Sequence, residues 1–168
     1  MALPVIQNIS DTVISRLKNI TVANGYEFEA GTVQIVNRDM NTWQPSPRDI
    51  YVDQQPETAN DDISYPSSAA LVAAFDVDFN IYGFASQLDV DADERGITDT
   101  GTTENQMIAA VKKSLVNSDG AGWHTFGSNA VLSWFSSSGH FDGPGHDGAL
   151  VVLSVTYRID ETDPFTAR

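Results

Sequence analysis

The chain is predicted to fold as an α+β domain, a mostly antiparallel β-sheet with two α-helices packed on one face and long acidic loops. Three observations predict it. Two segments repeat apolar residues at three- and four-residue spacing, as the buried stripe of a helix does. Others alternate apolar with polar residues, most clearly from Phe75 to Ile81. The order runs helix, strands, helix, strands, with no internal repeat and no separating linker, so residues 1–168 read as a single domain.

The first helix follows Pro4, a residue suited to a first-turn position. Ile6, Ile9, Val13, Ile14 and Leu17 form its stripe, Arg16 and Lys18 complement the dipole at its end, and Asn24-Gly25 is a turn. Strands are expected over Thr32–Arg38 and Asp49–Asp53, with a Pro-containing loop, Met40–Pro47, between them. Gln54–Ser68 has no periodicity and reads as a long exposed connection. In Ala69–Phe84, Phe75, Val77, Phe79 and Ile81 give one dry face, and Asp76, Asp78 and Asn80 give one wet face. Gly83 marks an end or a bulge, and Gln87–Gly101 is a second acidic loop. The second helix starts near Thr103, where Thr103 and Gln106 make a capping box. Met107, Ile108, Val111 and Leu115 form its stripe, and Asn117–Gly122 ends it. A strand over Ser128–Phe135, a Gly- and Ser-rich loop over Ser136–Gly148, a final strand over Ala149–Ile159 and a polar tail complete the chain.

Hydrophobic residues make up 41% of the chain, with 8 Phe, 5 Tyr and 3 Trp, enough to build a core. There is no Cys, which excludes disulfides, thiolate metal sites and cysteine catalysis. No apolar run reaches the roughly 20 residues of a membrane helix, and the N-terminus lacks a signal-peptide pattern. The expectation is a soluble protein made in a cytoplasm, with no membrane partner. Nine Lys and Arg face 23 Asp and Glu, for a formal charge of −14. Between Arg48 and Lys112, 13 acids accompany a single base, Arg95. Such a surface repels nucleic acid, whose binding draws on Lys and Arg at phosphates.

Candidate chemistry is sparse. Asp89, Asp91 and Asp93 alternate as in a calcium loop, but Glu94 stands where glycine is needed and Thr100 where a bidentate Glu is needed. His140, Asp142, His146 and Asp147 carry metal-ligand chemistry around Gly143-Pro144-Gly145, without a familiar zinc spacing. Asp76 and Asp78 lie on the wet face of a strand, where ordinary exposed acids occur. Trp123, Phe126 and Trp134 read as core or subunit-interface anchors. No nucleophile elbow, phosphate loop or dinucleotide fingerprint is present. No cofactor, metal or catalytic residue is assigned, and an enzyme is not expected.

An amphipathic first helix ends in Ser15-Arg16-Leu17-Lys18 and is followed by Gly25-Tyr26. Asp49-Ile50-Tyr51-Val52-Asp53, the long alternating strand, and a helix followed by Trp123 come next. The chain closes with Val155-Thr156-Tyr157-Arg158-Ile159-Asp160 and Asp163-Pro164-Phe165. Over nearly its whole length this arrangement resembles the tail terminator (tail completion) proteins of long-tailed bacteriophages. The resemblance implies a virion protein of the tail and neck whose copies close into a hexameric ring on the tail tube. That ring stops polymerisation of the tail tube protein, presents a surface to the head–tail connector protein, and lets DNA pass through without specific binding. On that expectation Asp89, Asp91, Asp93 and Glu94 are candidate lumen or interface acids. Glu57, Asp61 and Asp62 are candidates for an interface loop. The alternatives are another neck or tail component, such as a head–tail connector or the tube protein itself. Further off stand a small metal-dependent hydrolase using His140, Asp142 and His146, and a ligand-binding module.

Overall fold

The computed structural model describes residues 4–36, 39–60, 65–67, 70–84, 99–116, 123–126, 129–143, 146–160 and 163–167. In chain order the elements are α1 (Val5–Lys18), β1 (Val33–Ile35), β2 (Ile50–Gln54), β3 (Thr58–Ala59), β4 (Tyr65–Ser67) and β5 (Ala70–Phe84). Then follow α2 (Asp99–Leu115), β6 (Trp123–Phe126), β7 (Asn129–Gly143), β8 (His146–Asp160) and β9 (Asp163–Ala167). The fold is α+β, as the periodicities predict.

One sheet organises everything, in the order β1-β2-β5-β8-β7-β6. Its spine is the antiparallel ladder of β5 on β8, from Val72 opposite Asp160 to Phe84 opposite Gly148. On the other side of β5 three short strands follow one another: β2 beside Phe79–Gly83, β3 beside Phe75–Asp76, and β4 beside Ala70–Val72. Among the described strands only β1, parallel to β2, breaks the antiparallel pattern.

Side chains alternate across a strand, so the spine has two chemically different faces. Val77, Phe79, Ile81, Val151, Leu153 and Val155 fall on one face, and each is 2% exposed or less. Both helices cover that face. Val5, Ile9, Val13 and Leu17 of α1 recur every four residues, and Met107, Ala110, Val111 and Leu115 of α2 join the same core. Arg16 sits 4.8 Å over the Phe126 ring and donates to the carbonyl of Leu115, at the negative end of α2. Burial lowers its pKa from the usual arginine value.

A β-bulge at Ser136 shifts the pairing of β7 by one residue. It lets Ser133 and Phe135 before it, and Ser138 and His140 after it, all lie opposite helix-facing residues of β8. Two glycines allow close approach at one end of the spine. A Cβ on Gly83 would lie 3.0 Å from Met107 Sδ, and one on Gly148 would lie 1.9 Å from the Gly83 carbonyl oxygen. Gly83, one residue before the end of β5 at Phe84, therefore admits α2 close to the strand.

Several expectations need correction. Most of Ser136–Gly148, read as a loop from its Ser and Gly content, is instead strand, with 136–143 in β7 and 146–148 at the start of β8. Its weak β-propensity is overridden by pairing with Ala149–Val152 on β8. Part of Gln54–Ser68 pairs with β5 as β3 and β4, and the C-terminal tail adds β9 to β8. The second helix begins at Asp99, one turn before Thr103. Most of the second acidic loop, residues 87–98 of Gln87–Gly101, lies outside the described residues.

Gly148→Ala is expected to destabilise the fold by roughly 1–3 kcal/mol or more, because its methyl group meets backbone rather than a flexible side chain. Chemical denaturation read by Trp fluorescence checks this. Wild-type stability in that variant would contradict the close approach.

Candidate functional site

The structure's most distinctive surface is the outer edge of β1. Ile50 N–H donates to the Thr32 carbonyl at 2.8 Å, and Val36 N–H donates to the Val52 carbonyl at 3.0 Å. In a parallel ladder alternate residues carry the bonds to the neighbouring strand. Thr32, Gln34 and Val36 thus turn their backbone toward β2, while Val33 and Ile35 turn theirs outward, at the end of the strand order. Natural edges are commonly guarded by charge, proline or a bulge. Val33-Gln34-Ile35 has none of these, and Ile35 is 47% exposed.

A groove flanks each face of this strand. The first, of about 690 Å³, lies between α1 and β1 and is lined by Asp11, Ile14, Ser15, Lys18, Val33 and Ile35, among others. The second, of about 480 Å³, runs past Gln34, Ile35, Thr42, Trp43 and Tyr51. Its floor is a small aromatic cluster on the face away from the helices. Trp43 meets Tyr82 edge-on at 5.0 Å, and Tyr51 meets Phe84 at 5.1 Å. Burial raises the Tyr51 phenol, nearby Asp49 raises it further, and a side-chain bond with Gln34 opposes both. Tyr82 is likewise raised by burial and then by Asp53, against a bond with Asn80.

Asp49 fixes where β1 begins. Its carboxylate is buried, 6% exposed, and accepts from Thr32 N–H at 2.7 Å and Ser46 N–H at 2.8 Å. These bonds clamp the turn before β2 to the entry of β1. Arg48, next to it, adopts φ of 71°, a left-handed conformation that is costly for a residue with a Cβ. Its backbone is held on both sides, donating to Phe84 O and accepting from Gly31 N–H, each at 2.8 Å. A Cβ on Gly31 would stand 2.6 Å from Asp49 Oδ1, so the carboxylate occupies the space that glycine leaves.

The residues singled out from sequence fall as follows. Asp89, Asp91, Asp93 and Glu94, with Asp61 and Asp62, lie outside the described residues. Glu57 precedes β3, where its carboxylate accepts from the Tyr157 hydroxyl, and partial burial raises its pKa. His140 lies on β7, and its Nδ1 contacts the carboxylate of Glu104 on α2, which is 6% exposed. In the hairpin Asp142 pairs with Asp147 and Gly143 with His146, with His140 opposite Ala149. Among the described residues no group of three His, Cys, Asp or Glu is placed to hold a metal ion. Asp76 accepts from Thr156 and Asn60, and Asp78 accepts from Ser154 at 2.6 Å, so both acids brace the spine across its wet face. Phe126 is core, whereas Trp134 is 46% exposed on the face away from the helices; the Trp123 side chain lies outside the described residues. The β1 edge, the Asp49 clamp and the Glu104–His140 contact went unread in the sequence. The uncharged Val33-Gln34-Ile35 run was the one available signal.

Asp49→Ala leaves two N–H groups without an acceptor and is expected to cost roughly 1–3 kcal/mol. Asp49→Asn keeps one oxygen acceptor and should cost less; equal stability of all three proteins in urea denaturation would contradict the clamp. Glu57 has a folded pKa above its unfolded value, so its ionisation opposes folding as pH rises through the folded pKa. Glu57→Gln, which keeps an acceptor for Tyr157, should therefore raise the melting temperature at pH 7. The gain should vanish at pH values below the unfolded carboxyl range, and a gain independent of pH would refute the assignment.

No protein-family model matches the chain, and no curated protein matches it significantly.

Proposed function

We propose that the chain is a structural subunit of a long-tailed bacteriophage that closes into a ring on the tail tube at the neck. In this role it is an assembly part rather than a catalyst. The observation that carries the reading is the unguarded, uncharged edge of β1 on a chain whose net charge is −14. Copies of such a chain repel one another over most of their surface. An edge without charge, carrying an exposed Ile35 between two grooves, is a place where contact is little opposed. A ring also needs a heterologous contact, in which one patch meets a different patch on the next copy, and a strand edge is one such patch. The resemblance of the residue pattern to tail terminator proteins points to the same role.

The acidic balance fits the same reading. A lumen with excess carboxylates repels the phosphate backbone, so DNA slides through without being held. The remaining partners are the tail tube protein below and the head–tail connector protein above. A head-to-tail contact that fails to close grows into a filament, so a tube subunit is the second reading that the edge favours.

Negative-stain electron microscopy of the purified protein, alone and with tail tubes of its phage, tests the proposal. Closed rings, or a cap at one tube end that stops growth, are expected. Long tubes of this protein alone would make it a tube subunit. Monomers that ignore the tubes would refute both readings.

A further inference from the structure

We infer that the β1 edge of one subunit accepts an extended segment of a second copy of this chain, which adds a strand to the sheet. The inference deepens the ring reading and rests on it for the identity of the occupant. The outward N–H and C=O groups of Val33 and Ile35 call for a backbone partner, since side chains do not supply that alternation of donors and acceptors. Ile35, on the helix-facing side of the strand, overhangs the groove beside α1 and offers that groove to an apolar residue of the incoming segment.

Charge selects the occupant. Among the described residues, the only charged side chains lining the two grooves are Asp11 and Lys18, which cancel. A basic partner has nothing to gain there over the many carboxylates elsewhere on a −14 chain, and nucleic acid is repelled. A second acidic copy, by contrast, meets little charge repulsion at this edge. The contact is head-to-tail if the incoming segment is not β1 itself, as ring closure requires.

The position of Ile35 makes a clean test. Its N–H points away from β2, so Ile35→Pro removes an outward donor while the bonds of Gln34 and Val36 to β2 remain. Ile35→Lys keeps the backbone and guards the edge with charge at an exposed position. Sedimentation velocity of the full chain is run over a concentration series, at low salt and at about 1 M NaCl, where the Debye length falls to about 3 Å. Wild type is expected to associate, more strongly at high salt. Both variants should associate at least tenfold more weakly, with circular dichroism and melting temperature unchanged; if Ile35→Pro disturbs the fold, Ile35→Lys decides. Variants that associate like wild type would overturn the β1 edge and leave the ring reading standing. Wild type that stays monomeric throughout would overturn self-pairing at this edge, while the tube-capping experiment judges the ring reading separately.

Discussion

The ladder between β5 and β8 is the constraint on which the rest of the structure depends. It aligns 13 residue pairs, and every pair without a glycine places two side chains on the same face. Apolar residues meet apolar ones on the helix side, as Phe79 meets Leu153 and Val77 meets Val155. On the other side Asp78 meets Ser154 and Asp76 meets Thr156, each pair joined by a hydrogen bond. A slip of one residue would put Asp78 into the core and Phe79 into water, so the register is strongly specified. Both helices then have one place to go, and residues as far apart as Val13 and Met107 enter one core.

Distance from this spine explains why β1 is different. Among the described residues it pairs within the sheet with β2 alone, and it begins at a point that a buried carboxylate fixes. The strained Arg48 is held there by backbone bonds to both Phe84 and Gly31, so the turn before β2 is rigid although it lies at the margin. A strand edge presented on a rigid margin can be matched by a neighbour at little ordering cost. The same geometry keeps the grooves on its two faces open, because α1 backs one side and the Trp43 cluster backs the other.

Much of this was legible in the sequence because it is written in local periodicity. The stripe from Ile9 to Leu17 and the alternation from Phe75 to Ile81 each state their element and its buried face. What periodicity misses is pairing imposed from elsewhere. Ser136-Ser137-Ser138-Gly139 has no preference for a strand, and it becomes one because Val151 and Val152 on β8 supply the ladder. Likewise Tyr65–Ser67 includes a proline and pairs at the end of β5, where no inner ladder bond is required of it. The candidate site was the least legible part. Asp49 resembles any surface acid until Thr32 and Ser46 are brought to it, and an edge strand differs from an inner one only in its neighbours.

We propose that the chain joins two properties, an acidic surface that keeps copies apart and an uncharged β1 edge where they meet. Residue-resolved hydrogen exchange, in the free subunit and in the assembled ring, tests that union most directly. The account predicts that the Val33 and Ile35 amides exchange quickly in the free protein and become protected in the ring, with the spine amides slow in both. Equal, rapid exchange at Val33 and Ile35 in both states, with protection gained elsewhere, would contradict it.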